Sequence, residues 1–354
     1  MYFFMSEVVK LPSKIFVPSE RTRFIENGGL LRPKNIFKYL KRRLVYQIVL
    51  RWLGLRRPEA RITRFHKKIL WISLSAPSLG DSLMDTSSRV LLDDREVDLF
   101  TTKKIAELYQ FDSYFRAVYF SRSAVRLNSY DLIICDSYAP RVVKEIFLIS
   151  CTTPWTTMYG FVNGFDLNRT IFSFSRMMEL LDLDSITKKL TPVMRASHTK
   201  KVDADVFVAI GGEWEFRTYI HWEEVVRVLV TQGRTVHLIG SQNALAMERH
   251  LLGLFPTVTT SVGNSITEVA AEISGAPVLV CADGGLWHMG CALGIPTVVL
   301  SAECLFTDEQ GNDAFRNTND LVCETLVAKH NVNEIRPQAV CDAFEKMMNR
   351  LEQK

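Results

Sequence analysis

The stretch CADGGLWHMGCALGIPTVVL, residues 281–300, sets an acid, two adjacent glycines and a histidine between two apolar runs. The run that leads into it, APVLVC (276–281), is short, apolar and rich in β-branched residues, which predicts a buried strand. LWHMGCALG then spaces its apolar residues at helical intervals, with Gly294 and Pro296 as stop signals, and PTVVLSA predicts another strand. Strand, glycine turn, short helix and strand make up part of a βαβ unit. Ligands of open α/β sheets bind beyond the carboxyl ends of strands, against helix N-termini. Asp283, Gly284 and Gly285 occupy that address.

Working outward, the same alternation fills most of the chain. KKILWISL (67–74), EVDLFTT, FRAVYFS and YDLIICDS predict four strands, with helical runs between Ser82 and Leu92, in KKIAELYQF, and from Pro140 to Ser150. Residues 151–200 are less regular and hold an apolar helix around FSRMMELLDL; RASHTKKVDAD (195–205) reads as a linker. A second alternation then opens with DVFVAIGG and runs through HWEEVVRVLVTQG, TVHLIGS and NALAMERHLLGLF to the stretch quoted above. Order of this kind predicts mostly parallel sheets. The expected organisation is a helical extension over 1–66, one α/β domain over 67–194, a second over 195–335, and a terminal helix over 336–354.

Composition sets the class. With 354 residues, 47% hydrophobic and 23% charged, the chain is long enough for two globular domains. Its seven cysteines are scattered and form no CxxC pair, which argues against a disulfide scaffold or a structural zinc site and suits a reducing compartment. The start, MYFFMSEVVKLPSK, lacks the features of a secretory signal. The net charge of +4 conceals an asymmetry. Arg32 to Lys68 holds 13 Lys or Arg against Glu59 alone, a net +12 that leaves −8 for the rest. Within that segment Ile36, Phe37, Leu40, Leu44, Ile48 and Trp52 recur at helical spacing among the cations. A basic amphipathic helix with a Trp predicts an anionic membrane surface as partner through residues 32–57. The plainer alternatives are a core-packed helix with its cations in water, or a nucleic-acid patch. No recognised nucleic-acid module accompanies the charge, so no nucleic-acid partner is expected.

Three glycine-bearing turns carry the candidate chemistry. SLSAPSLGDSLMDT places Gly80, Asp81 and Ser82 at the start of a helix, where Asp81 is equally an ordinary cap. IGGEWEFR offers Gly211 and Gly212 for close backbone approach to an anion and Arg217 as a bidentate clamp, or else a simple turn with a surface arginine. ADGGLWHMG adds Asp283, Gly284, Gly285 and His288, and Gly240–Ser241 ends a further strand. None of these is a Walker motif or a GxGxxG fingerprint. The Asp-x-Asp pairs at 182–184 and 203–205 fall away from strand ends, so no metal ligand set is expected.

Taken together and in order, these blocks resemble glycosyltransferase family 9, the ADP-heptose:lipopolysaccharide heptosyltransferases. LGDSLMDTSSRVL is similar to the opening Leu-Gly-Asp turn of that family, and GGEWEFRTYIHWEEVVRVLVTQGRTVHLIGS to its central block. SITEVAAEISGAPVLVCADGGLWHMGCALGIPTVVL is similar to its Asp-Thr-Gly-x-x-His turn with the Ala-Leu-Gly-x-Pro-Thr strand. The resemblance spans roughly 67–302 and leaves out the basic extension. Two positions depart from the pattern: Gly284 stands in place of Thr, and no Pro follows Thr86.

The resemblance implies a GT-B architecture, two Rossmann-like domains facing across a cleft, with the acceptor on the first and the sugar nucleotide on the second. It implies inverting transfer of heptose from ADP-heptose to a lipid-linked core oligosaccharide of lipopolysaccharide or lipooligosaccharide, without a metal or other cofactor. By motif, Asp81 is the general base, with Gly80 and Ser82 on the acceptor side. Gly211, Gly212, Arg217, Ser241, Asp283, Gly284, Gly285 and His288 line the donor site. The implied location is the bacterial cytoplasm, peripheral on the inner face of the inner membrane. Two other readings compete: a GT-B enzyme using a different sugar nucleotide, and a catalytically silent, membrane-attached binding protein on the same fold.

Overall fold

The computed structural model describes residues 33–353, apart from 53, 60, 77, 161–167, 188, 213, 308–314 and 320–321. Of the basic extension, residues 1–32 and Leu53 lie outside the described residues.

Two compact units account for the chain. The first comprises Met1–Pro77, Met84–Gln110 and Tyr114–Leu190. The second comprises Thr191–Lys354 with two short excursions from the first half, Ser78–Leu83 and Phe111–Ser113.

In the first half of the chain, helix α1 (Pro33–Trp52) precedes β1 (Lys68–Ser73), α2 (Leu79–Asp85, most of it in the second unit), β2 (Glu96–Thr101) and α3 (Lys103–Tyr109). Then follow β3 (Ala117–Tyr119), β4 (Leu132–Cys135), α4 (Pro140–Ile149), β5 (Trp155–Thr157) and α5 (Arg169–Leu181). The sheet order is β3-β2-β1-β4-β5 and every pairing is parallel. Strand residues such as Ile69, Leu70, Ile133 and Ile134 are fully buried on both faces, as parallel strands covered by helices require. The expected helix over Ser82–Leu92 resolves into α2 and a 3-10 turn at Ser87–Leu92. Strand β5 lies in the region that reads as irregular in sequence, because three residues are too few to show a period.

The second unit runs β6 (Val206–Ala209), α6 (Trp222–Thr231), β7 (Val236–Ile239), α7 (Leu245–Leu254), β8 (Thr259–Thr260) and α8 (Ile266–Ile273). It continues with β9 (Leu279–Ala282), α9 (Gly285–Ala292), β10 (Thr297–Ala302), α10 (Glu303–Phe306), β11 (Cys323–Ala328) and α11 (Pro337–Glu352). Its six strands are ordered β11-β10-β9-β6-β7-β8, again all parallel. Helix α8 starts on a complete capping box, Ser265 with Glu268, and α11 starts with Pro337 at its first position. The terminal helix is part of this core: Val340, Phe344 and Met347 pack in one cluster with β6, α6 and β10.

The stretch expected as a free linker is tied down. Ala196 bridges Asp112, Ser113 N–H donates to the Arg195 carbonyl at 2.9 Å, and Ser197 N–H donates to that of Phe111 at 2.9 Å. These bonds join segments more than eighty residues apart, which no local sequence signal reports.

Candidate functional site

In each sheet the strand order reverses once, and the crevice beyond the carboxyl ends of the two strands at that reversal is the place where open α/β sheets bind ligands. In the second sheet those strands are β6 and β9. Strand β6 runs into Gly211 and Gly212; β9 runs into Asp283, Gly284 and Gly285; β7, beside β6, runs into Gly240 and Ser241. Three turns separated by up to 74 residues in sequence thus share one sheet edge.

Close packing explains the glycines there. A Cβ on Gly212 would sit 2.5 Å from Thr218 Oγ1 and 3.0 Å from the Arg217 carbonyl oxygen. The turns are also cross-linked: Asn243 Nδ2 donates to the Gly212 carbonyl at 2.6 Å, and the Ser241 hydroxyl donates to Asn243 Oδ1 at 2.6 Å. Asn243 carries no motif in the sequence, and only the fold brings it to the glycine turn. Gly284 differs. Its φ of 168° is ordinary extended backbone, and a Cβ there would meet nothing nearer than the Ala282 carbonyl at 4.0 Å.

Asp283 is 7% exposed at the end of β9. Burial pushes its carboxyl up to about 6, while the Arg217 charge and the Ser301 hydroxyl, 3.4 Å from Oδ2, act in the opposite sense. The half-buried Arg217 sits on the 3-10 turn Glu215–Arg217 after the glycine pair, and the electrostatic coupling links the two turns. The first N–H groups of α9 follow Gly284 directly and, with the helix dipole, favour an anion at this end.

His288 is placed differently from the expectation of a ligand-facing side chain. It is 4% exposed, its Nδ1 lies 3.3 Å from Asn317 Nδ2, and its ring centroid lies 4.8 Å from that of Trp287. Gly80 covers it: a Cβ on Gly80 would lie 2.6 Å from His288 Cδ2. Leu79 likewise packs on the start of α9, its Cβ 3.1 Å from where a Cβ of Gly285 would be. The Leu-Gly-Asp turn and the Asp-Gly-Gly turn therefore touch, both within the second unit, and Asp81 is the next residue along. Ser78 and Asp81 form a reciprocal pair of the helix-capping type, hydroxyl to Oδ2 at 2.7 Å and Asp81 N–H to Oγ at 3.2 Å. Ser82, expected on the acceptor side, is wholly buried.

At the reversal of the first sheet, between β1 and β4, sits a carboxylate that the sequence reading missed. Asp136 is 4% exposed, Oδ2 accepts from Ser75 N–H, and Oδ1 has no hydrogen-bond partner. Burial is the main cause that pushes its carboxyl up to about 6; the Ser75 bonds oppose that, and the neighbouring Asp85 adds to it. Asp85 accepts from Arg169 Nε at 2.9 Å and from the Tyr159 hydroxyl. One member of each Asp-x-Asp pair has a structural role: Asp182 caps α5 and pairs with Arg61 at 2.6 Å, and Asp205 accepts from Thr235 at the amino end of β6. Among the described residues no group of three or more His, Cys, Asp or Glu could hold a metal ion.

Residues 184–330 match the model of glycosyltransferase family 9 (heptosyltransferase). No curated protein matches the chain. Among solved structures, the chain is similar to a glycosyltransferase family 9 protein from Veillonella parvula, with TM-score 0.62 and 12% identity over 80% of this chain and 97% of that one. It is similar to the ADP-heptose LPS heptosyltransferase II of E. coli, with TM-score 0.61 and 16% identity over 80% and 99%. It is also similar to the E. coli heptosyltransferase WaaC with ADP, with TM-score 0.61 and 15% identity over 78% and 99%. The family match falls on the three glycine turns, and the fold likeness extends to both parallel sheets. The chain is a glycosyltransferase that carries a family 9 (heptosyltransferase) domain over residues 184–330 in a GT-B-like fold.

Proposed function

We propose that this chain transfers heptose from ADP-heptose to a lipid-linked core oligosaccharide, with inversion at the anomeric carbon and without a metal. The observation that carries the reading is the meeting of the Leu-Gly-Asp and Asp-Gly-Gly turns at the start of α9, on the edge shared with Gly211–Gly212. The donor diphosphate would lie against the α9 N-terminus and Arg217. The E. coli WaaC structures hold ADP and ADP-2-deoxy-2-fluoro heptose, which suits a donor of this class.

In the reaction the acceptor hydroxyl oxygen bonds to the anomeric carbon as the bond from that carbon to the ADP oxygen breaks. Asp81 takes the hydroxyl proton from the face opposite the leaving group. The departing ADP gains negative charge, which the backbone N–H groups at 284–285, the helix dipole and Arg217 stabilise. Ser78 orients the Asp81 carboxylate through its hydrogen bond. His288 acts from beneath the turn by holding Gly80 and the start of α9 in place, rather than by touching the ligand.

The test pairs product analysis with binding. ADP-heptose should yield a heptosylated product on truncated lipopolysaccharide acceptors, read by mass spectrometry, and UDP-sugars should not. ADP affinity should fall in Arg217→Ala and Asp283→Ala; unchanged affinity in both folded variants rules out this donor site. Asp81→Asn should lose about 10²–10⁴-fold in turnover. A near wild-type rate would leave Asp81 as a helix cap only.

A further inference from the structure

Helix α1 has two faces with different occupations. Tyr39, Arg42, Tyr46 and Val49 are buried. Tyr39, Tyr46 and Val49 belong to the core cluster of the first unit, with Tyr46 edge-on to Tyr138 at 5.1 Å and to Trp155 at 6.1 Å. Phe37, Leu40, Leu44, Ile48 and Trp52 are 70%, 56%, 63%, 44% and 81% exposed. At about 100° per residue the two sets lie on opposite sides of the helix. The alternatives of core packing and surface binding therefore do not compete, because each takes a different face.

We propose that the outward face of α1 docks the protein on an anionic lipid bilayer, inserting shallowly along Phe37, Leu40, Leu44, Ile48 and Trp52. Charge selects this occupant. The helix carries no Asp or Glu, Lys41 and Arg51 lie within the arc of the apolar stripe, and Arg43 is exposed as well. A second copy would bring two cationic faces together. Residues 1–32 hold five Lys or Arg against three Glu, so they offer no complementary charge either. An apolar ridge flanked by cations is the pattern of helices that lie in a headgroup layer. No described helix is long and apolar enough to cross a membrane. The middle of α1 lies by the carboxyl end of β4: Tyr138 beside Tyr46 follows that strand, and the buried Arg42 feels the charge of Asp136. Where the transferase reading holds, the acceptor edge of the first sheet is thereby kept at the bilayer. Docking itself does not depend on that reading.

The test is co-sedimentation of the full chain with phosphatidylcholine vesicles, with and without phosphatidylglycerol, at low and raised salt. Two variants alter only exposed side chains: Lys41→Glu with Arg51→Glu, and Leu44→Gln with Ile48→Gln and Trp52→Gln. Thermal melting serves as the folding check. Wild-type protein should sediment with the anionic vesicles and lose binding as salt rises; each variant should bind about tenfold less or weaker still. Wild-type binding in the polar variant overturns the proposal. So does a wild-type dimer that the polar variant abolishes without change in vesicle binding, since the occupant is then a second copy. Vesicle binding that appears only after residues 1–31 are removed also overturns it, because the chain then covers its own face.

Discussion

Burial is the main cause that raises the carboxyl pKa of two strand-end acids, Asp136 and Asp283. Burial pushes the Asp136 carboxyl up to about 6 from its ordinary 3.8, so the folded state holds its proton more tightly. Its contribution to stability is therefore full below pH 4 and is lost as pH rises through about 6. A gap of about two pKa units is on the order of 3 kcal/mol. Asp136→Asn should match wild type in urea midpoint near pH 4 and exceed it above pH 7; a constant difference across that range refutes the assignment. At Gly80 two effects oppose. Alanine gains about 0.5–1 kcal/mol of helix propensity. It also drives a Cβ to 2.6 Å from a ring that Trp287 and Asn317 hold in place, and overpacking costs about 1–3 kcal/mol. Gly80→Ala should lower the melting temperature. Gly284→Thr fits its space and its backbone, and a hydroxyl bonded to a charged phosphate contributes roughly 1.5 kcal/mol, so ADP affinity should rise about tenfold. Calorimetry on the two variants checks both directions.

Among elements, the loop pair after β6 and β7 decides how rigid the donor edge is. Asn243 joins them with one donated and one accepted hydrogen bond, each 2.6 Å. Asn243→Ala leaves the Gly212 carbonyl and the Ser241 hydroxyl to water and frees both turns. A loss of two exposed bonds should cost about 1–2 kcal/mol of donor binding, roughly tenfold in ADP affinity, with little effect on melting. Equal affinity in the variant means that the turns hold their shape without it. The start of α9 shows the opposite situation: there Leu79 and Gly80 pack against Gly285 and His288, so its geometry rests on apolar contact rather than on exposed hydrogen bonds.

Across the whole molecule, each unit has its own parallel sheet and its own buried cluster. A ligand stabilises only what it binds in the folded state, by about 2.7 kcal/mol at a hundred times its dissociation constant. ADP should therefore slow amide hydrogen exchange most in strands β6, β7 and β9 and in helix α9, and least in β2 and β3. Protection centred on the first sheet would move the nucleotide to the other unit.

The sequence alone determined the period of the elements, the two rounds of α/β alternation, and the three glycine turns that end strands. Those signals are local: apolar runs of four to eight residues, caps and turn glycines act within a few positions of themselves. It also showed the apolar stripe of α1, whose 3.6-residue period is visible without any partner. Tertiary structure decided everything that depends on which strands are neighbours. Sheet order sets Gly211, Ser241 and Asp283 side by side and places Asp136 at the reversal between β1 and β4, while helix packing pairs Asp85 with Arg169 from 84 residues away. It buried His288 under Gly80 and settled which side of α1 packs inward. The reason is physical: long-range pairing follows from how whole apolar faces fit together, and no single segment contains that information.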